Sequence, residues 1–397
     1  MPNTILTPTQ VTREALRILH NKLNFIGAID RQYDNSFAKT GAKIGEQLKV
    51  RLPNRYTIRT GSNMSAQYIT EQSVTLAVAT QKGVDLTFSS FELTMQLDDF
   101  SKRILEPAMA VLAANIEADA FSMYQDIYNL VGSPATVPNS LLVYLQAKQK
   151  LNEFLAPKDG NRSAIINSAA MAATVDALKG LFHSADQIDK QYREGLLGKT
   201  AGLSFYENDL VPVHTNGNKV AGVTVNGASQ TGSSLNIGNV ANLDTFKEGT
   251  VFTIAGVNAI HPETRQSYGF LQQFVVTADV TMSTTTGTIA ISPPITVTGA
   301  YQTVTASPAD GAAITIVGAA STGYAQNIAF HKSAFTFVSA DLEMPQGVDF
   351  AAREVYDGIS MRIIRDYTIA SDQFPCRIDV LYGFKTLLPQ LACRITA

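Results

Sequence analysis

The chain has 397 residues, 45% of them hydrophobic and only 16% charged, with a formal net charge of −3. A chain this long can bury a large core without disulfides or structural metals, and its length predicts two or three domains. The charge balance excludes a basic nucleic-acid coat that binds by neutralising phosphates. The sequence has no apolar run long enough for a membrane helix, and its N-terminus does not resemble a signal peptide.

Residues that usually carry catalysis or bind metals are scattered. None of the histidines lies within five residues of another histidine or of a cysteine: His20, His183, His214, His261 and His331. Phosphate-loop and nucleophile-elbow motifs are absent. Asp98 and Asp99 would point about 100° apart on a helix, which favours a role at a helix start over a shared proton. We predict no catalytic, cofactor-binding or metal residues and no cofactor, and we expect Cys376 and Cys393 to be reduced core residues.

The N-terminal part of the chain predicts a helix followed by strands. Thr7 and Pro8 are typical of a helix start, and apolar residues then recur at helical spacing as far as Leu23: Val11, Ala15, Leu19 and Leu23. This stripe must dock on its own domain or on a neighbouring chain. Alternation begins again within 46–60, residues 61–72 predict an exposed loop, and 73–89 predict a hairpin that turns at Gln81-Lys82-Gly83.

A long helix is predicted over 101–131, because apolar residues recur there at steps of three or four. Such a helix would be about 46 Å long at 1.5 Å per residue. It could be a structural spine or a coiled-coil seam. Shorter elements follow: helices over 140–155 and 169–182, and strands over 163–166 and 210–214.

The composition changes near residue 216. Between positions 216 and 325 the only charged residues are Lys219, Asp244, Lys247, Glu248, Glu263, Arg265, Asp279 and Asp310. Short apolar runs separated by turn residues predict strands over 220–225, 251–257, 269–276, 287–291 and 313–317, typical of a small all-β sandwich or barrel. We expect five aromatic residues to fill its core: Phe246, Phe252, Phe270, Phe274 and Tyr301.

After position 326 the composition becomes mixed again. A strand with a bend is predicted over 327–337, and alternating strands over 359–368 and 376–384. The order suggests one domain that is interrupted by a β module and then resumed. Three domains in series are the alternative.

The order of these segments resembles the major capsid proteins of tailed bacteriophages with the Hong Kong 97-type fold. It is most similar to the coat protein of short-tailed Salmonella phages, which has an inserted β module. The segments that carry the resemblance are Ser73–Ser89 leading into Asp98-Asp99-Phe100, Val111–Glu117, Ser163–Ala169, Met171–Leu181, Gly198–His214, Asn327–Phe335 and 359–385.

The resemblance implies an α+β Hong Kong 97-type capsid fold, with a long spine helix, an extended β-hairpin loop, an axial domain and an inserted all-β sandwich or barrel. The implied parts are an N-terminal arm helix (1–35), the extended loop and hairpin (36–95), the spine helix and first part of the core domain (96–215), the inserted β domain (216–325), and the return to the core domain (326–397).

The function implied is that of a non-enzymatic major capsid protein, which self-assembles into the icosahedral shell around a phage double-stranded DNA genome. The implied partners are further copies of the chain in hexamers and pentamers, a scaffolding protein, a portal, and packaged DNA without sequence-specific contact, with no membrane. The virion capsid is the implied location, after assembly in the host cytoplasm. The low charge fits, because the cores of protein interfaces are depleted in charged residues.

Three other functions stay open at this point. A cellular nanocompartment shell would enclose protein cargo. A surface or carbohydrate-binding protein would use the β module and would need export. An enzyme would need a pocket with converging titratable groups. For the capsid hypothesis, we expect residues 1–25 and 40–90 to reach neighbouring subunits, and removal of 1–25 to block assembly while leaving the central fold.

Overall fold

The computed structural model describes residues 8–34, 47–64, 66, 68, 71–89, 104–178, 198–370 and 373–396. The chain divides into two compact units. Unit 1 comprises Met1–Leu52, Ser73–Phe121 and Phe335–Leu387. Unit 2 comprises Pro53–Gln72, Ser122–Ala334 and Leu388–Ala397. The chain therefore passes between the units several times.

Helices and strands both contribute to the fold. The helices are α1 (Pro8–Lys22), α2 (Phe25–Ala28), α3 (Glu106–Phe121), α4 (Leu141–Glu153) and α5 (Ser168–Leu178). The strands are β1 (Asp30–Asp34), β2 (Gln47–Arg51), β3 (Ser73–Ala77), β4 (Thr80–Ser89), β5 (Leu130–Val131), β6 (Arg162–Ile166), β7 (Lys199–Thr200), β8 (Leu203–Glu207), β9 (Val213–Thr215), β10 (Thr224–Val225), β11 (Gly232–Gly238), β12 (Thr245–Phe246), β13 (Val251–Ile260), β14 (Ser267–Val276), β15 (Val280–Thr281), β16 (Thr286–Ile295), β17 (Ile314–Ile316), β18 (Gly323–His331), β19 (Phe335–Ala340), β20 (Phe350–Tyr356), β21 (Ile359–Arg365), β22 (Gln373–Thr386) and β23 (Ala392–Thr396).

Unit 1 is built on a six-stranded sheet. Its strands follow the order β1-β19-β22-β21-β20, and β4 pairs with the other edge of the long strand β22. The parallel pair β1–β19 joins the beginning of the chain to a segment three hundred residues later. Strands β2 and β3 form a separate two-stranded ribbon.

The helices of unit 1 complete its core. Helix α1 packs against β20 and α3, and the predicted stripe of Val11, Ala15, Leu19 and Leu23 is buried. This stripe therefore docks on its own unit. Because it belongs to that core, the expectation that the fold survives removal of residues 1–25 loses its physical basis. The Phe25 ring stacks on Phe121 with centroids 4.5 Å apart.

The predicted hairpin over 73–89 is wrong. Strand β3 pairs with β2, whereas β4 pairs with β22, from Thr80 opposite Tyr382 to Ser89 opposite Gln373. Gly83, which the pattern placed in a turn, lies inside β4. A Cβ atom there would collide with the carbonyl oxygen of Ile378 and with the carboxylate of Asp379. Glycine at position 83 therefore allows the backbones of β4 and β22 to approach closely, which is a known reason for glycine inside a strand.

The predicted length of 31 residues for the long helix is also wrong. Helix α3 ends at Phe121 and a 3-10 helix follows over Ser122–Asp126. A 3-10 helix has three residues per turn, so it continues to bury residues spaced three apart, and the apolar pattern cannot reveal the change. Met123 and Tyr124 are buried there. The predicted positions 101–103 lie outside the described residues.

Unit 2 contains two larger sheets. The first follows the order β5-β23-β18-β6-β8-β7, with β9 also paired to β18. Strand β6 is buried along its whole length and includes the strand predicted over 163–166. Helix α4 begins at the cap Ser140, whose Oγ accepts a hydrogen bond from the amide of Leu142. The bend predicted within 327–337 is a 3-10 turn over Lys332–Ala334 between β18 and β19.

The second sheet of unit 2 is antiparallel and follows the order β10-β11-β16-β14-β13-β17, beside a short pair β12–β15. It has a hydrophobic core of its own that includes Phe246, Phe252 and Phe274. Phe270 and Tyr301 are only partly buried, which corrects their predicted place in that core. Phe270 instead lies under the ammonium group of Lys150, 3.6 Å from the ring centroid.

Candidate functional site

Apolar side chains are exposed on an extended segment of unit 2 that has no helix or strand, residues 53–64. Ile58 is 93% exposed, Met64 is 85% exposed and Tyr56 is 58% exposed. Tyr68, a little further on, is fully exposed. Scattered exposed apolar residues are ordinary, but several on one short segment make that segment a candidate interaction surface. The predicted exposure of 61–72 is confirmed for residues 61–64.

The same stretch of sequence is positively charged. Arg55 and Arg59 lie in the segment, and positions 53–70 contain no aspartate or glutamate, although the whole chain carries a net charge of −3. A segment that is both basic and apolar fits a partner surface that combines acidic and apolar groups. This combination escaped the sequence analysis, which treated 61–72 only as a loop; the run of basic residues was the available signal.

Unit 2 also contains a buried polar cluster around Arg394 and His214. The Arg394 side chain is fully buried and donates from Nη1 to the carbonyl of Gly249 at 2.8 Å. His214 contacts the Tyr124 hydroxyl through Nδ1 at 3.3 Å and Thr250 Oγ1 through Nε2 at 3.2 Å. His214 and Arg394 line a small cavity together with Asn216, Gln326 and Thr396.

Burial governs the protonation of this cluster. It lowers the pKa of His214 to about 4, helped by the positive charge of Arg394. It also lowers the pKa of Arg394 from its usual 12.5 to about 10. His214 is therefore neutral at physiological pH, and Arg394 remains charged. Both ring nitrogens of the neutral His214 are engaged in the contacts that hold this cluster.

The adjacent residues His331 and Lys332 predict a surface pair in the sequence, which the burial of His331 corrects. His331 is buried, and its Nε2 donates to the Asp159 carboxylate at 3.1 Å while Nδ1 accepts from the amide of Ser333. Asp159 also accepts from the backbone and side chain of Asn161, and these bonds lower its pKa well below the usual value. The pair fixes the turn before β6.

The two cysteines are buried residues, and Arg362 forms an ion pair. Cys376 and Cys393 are free and buried, as predicted, and burial raises their pKa values to about 11 and about 12. Arg362 pairs with the buried carboxylate of Asp379 at 2.7 Å. His20, His183, Asp98 and Asp99 fall where the side chains are not described.

Two searches of the described residues concern other kinds of site. No group of three histidine, cysteine, aspartate or glutamate side chains in the described ranges could hold a metal ion. Within the same part of the chain, no helix combines the length and the apolar character needed to cross a membrane.

Comparisons with known proteins place this geometry in context. A family model described as P22 coat protein, gene protein 5, matches residues 31–394. The structure of Mycobacterium phage Che8 is similar over 94% of this chain and 90% of that chain, at 12% identity and a TM-score of 0.45. The capsid structure of cyanophage P-SCSP1u is similar over 93% and 86%, at 10% identity and a TM-score of 0.43. The I-domain of the CUS-3 coat protein is 30% identical over 25% of this chain and 97% of that chain, with a TM-score of 0.19. No curated protein matches the chain.

Proposed function

The chain belongs to the P22 coat protein family, and from that premise we infer that its extended segment is a surface through which copies of the subunit join. The protein is a major capsid protein that forms an icosahedral shell, with a capsid-like fold of mixed helix and strand, and it is located in the virion capsid. We propose a purely structural role, in which the enclosed material is a phage double-stranded DNA genome held without sequence-specific contact.

The finer architecture that we propose is the Hong Kong 97-type fold with an inserted all-β domain over 216–325. One observation supports the insertion. Strands β9 and β18 are antiparallel neighbours, with Thr215 opposite Gly323. The chain thus enters and leaves residues 216–325, here called the β region, at adjacent positions, as an inserted domain requires. We propose the other domain boundaries as the sequence predicts them: 1–35, 36–95, 96–215 and 326–397.

The observation that carries the assembly proposal is the exposed, basic and apolar extended segment. In a solitary soluble protein, exposed isoleucine and methionine on one short segment would be a liability for aggregation. In a shell subunit the same side chains become buried when a neighbour covers them. Burying one isoleucine contributes about 1.5–3 kcal/mol per contact, and this contribution is repeated in every subunit of a shell.

The experiment replaces Ile58 by serine and measures assembly. Ile58 is 93% exposed in the subunit, so Ile58→Ser should leave the unfolding midpoint of the free subunit unchanged. The threshold concentration for shell formation, followed by light scattering and negative-stain microscopy, should rise about tenfold or more, because one apolar contact is lost at each junction.

Leu243→Ser is the matched control, since Leu243 is also exposed, at 67%, but lies in the β region. An unchanged threshold for Ile58→Ser would remove the extended segment from the assembly surface.

The other partners that we propose are hexamers and pentamers of the same chain, a scaffolding protein and a portal, with assembly in the host cytoplasm. A nanocompartment shell with protein cargo is the second candidate. The contents of the assembled particles would distinguish the two candidates. A phage capsid would contain a genome, whereas a nanocompartment would contain protein and no genome.

A further inference from the structure

The tip of the hairpin between β13 and β14 is a rigid turn in unit 2. His261 organises it, because its Nδ1 accepts hydrogen bonds from the amides of Glu263 and Thr264, at 3.2 Å and 3.1 Å. The backbone of Arg265 closes the turn by donating to the carbonyl of His261 at 2.9 Å. Arg265 has a φ of +58°, a left-handed conformation that arginine adopts at a cost. The turn therefore holds the Arg265 side chain in a defined place.

Arg265 extends from this turn to the extended segment. Its Nη2 donates to the carbonyl oxygen of Tyr56 at 2.8 Å and to the carbonyl oxygen of Ala300 at 3.2 Å. The guanidinium thus joins the extended segment to the β region, although Tyr56 and Arg265 are 209 positions apart in the sequence. It holds the backbone of the segment and leaves the side chains of Ile58 and Met64 exposed.

A further hydrogen bond anchors the hairpin that carries Arg265. Tyr268 donates to the carbonyl of Glu153 at 2.7 Å, which attaches the beginning of β14 to helix α4. The contact with the extended segment itself rests on the bonds of Nη2, because Arg265 Nε is buried without a hydrogen-bond partner among the described residues.

We propose that Arg265 is a positioning residue, through which the β region holds the extended segment of its own subunit in the conformation that a second subunit binds. The proposal rests on the assembly role proposed above for that segment. It assigns the β region a task inside the subunit, since a flexible segment would lose conformational entropy on binding and a held segment has already lost it.

The experiment uses the full chain and the substitution Arg265→Asn. Asparagine tolerates the left-handed backbone, so the turn should keep its shape while the guanidinium is lost. The peptide bonds after Arg55 and Arg59 report on the segment, because trypsin cleaves a released segment faster than one whose backbone is held. The bond after Lys158, an exposed residue elsewhere in unit 2, is the internal reference.

In free subunits, Arg265→Asn should be cleaved after Arg55 and Arg59 about fivefold faster than the wild type, the factor expected for one hydrogen bond. Cleavage after Lys158 and the unfolding midpoint should not change, which a general loss of stability would not allow. Arg265→Lys should restore part of the protection. Lys247→Ala, which removes a surface ion pair of the same β region, is the matched control and should behave like the wild type.

The assembly threshold is measured for the same variants. Faster cleavage together with a raised threshold for Arg265→Asn supports the proposal. Equal cleavage of variant and wild type overturns it, and so does faster cleavage with an unchanged threshold. If the wild type formed no shells under any condition, the assembly role would fail, and the cleavage rates would still decide whether Arg265 holds the segment.

Discussion

Gly83→Ala tests the packing of β4 against β22 with a single methyl group. A Cβ atom at position 83 would collide with the carbonyl oxygen of Ile378 and with the carboxylate of Asp379, and would also lie 3.3 Å from the Ile378 carbonyl carbon. Backbone atoms cannot rotate away as a flexible side chain can. The strands must therefore separate, and ladder hydrogen bonds on both sides of Gly83 must lengthen.

The expected loss of stability follows from two contributions. Forcing a methyl group into a packed site costs about 1–3 kcal/mol. Asp379 is 1% exposed and is held by Arg362 at 2.7 Å and by Arg377 at 2.9 Å, so displacing its carboxylate also disturbs a buried ion pair. We expect Gly83→Ala to lower the free energy of unfolding by about 3 kcal/mol, a shift of about 1 M in the urea midpoint for an m-value near 3 kcal/mol/M.

Far-UV circular dichroism with tyrosine fluorescence measures this transition, because the chain has 14 tyrosines and no tryptophan. Gly27→Ala is the matched control in the same unit: a Cβ atom there meets nothing within 4 Å, and alanine in helix α2 should be neutral or stabilising by up to about 1 kcal/mol. Equal midpoints for the two variants would show that β4 does not approach β22 as closely as described.

Three further predictions concern local interactions. The folded chain resists protonation of His214 until about pH 4, whereas the unfolded chain takes up that proton near its ordinary pKa of 6.5. Stability should therefore fall by about 3 kcal/mol as the pH drops from 6.5 to 4, and His214→Gln should flatten this part of a pH series of urea melts. Ser140→Ala removes the cap of α4 and should lower the free energy of unfolding by about 1 kcal/mol in the same assay; no change would show that the cap bond is unimportant. Cys376 and Cys393 should react with a disulfide reagent at pH 8 only after denaturation, because burial raises their pKa values to about 11 and about 12, and rapid labelling of the native chain would contradict their burial.

The capsid family and the order of the main elements could be predicted from the sequence. Helices α1, α4 and α5 follow from apolar residues at helical spacing, and the buried strand β6 follows from its apolar run. Strands β13, β14 and β16 lie where the alternation placed them, with longer bounds. The terminal strand β23 went unpredicted, because its buried charged residue, Arg394, interrupts the apolar pattern.

The candidate surface was only half predictable. Exposure of the segment near 61–64 follows from its polar residues, and its basic character is visible in the sequence. That Ile58 is exposed could not be predicted, because the alternation around it is equally typical of a half-buried strand. That the carbonyl of Tyr56 meets Arg265 depends on a pairing across 209 positions, which no local pattern encodes.

The sequence by itself determined where helices α1, α4 and α5 form, where the composition becomes poor in charge, and that common catalytic motifs are absent. Only the tertiary structure decided which strands pair, where helix α3 gives way to a 3-10 helix, and what Gly83 is for. The physical reason is that side-chain periodicity records local geometry and burial, and is the same whichever neighbour a strand meets. Strand pairing and the close approach of Gly83 to Ile378 depend on contacts between distant parts of the chain.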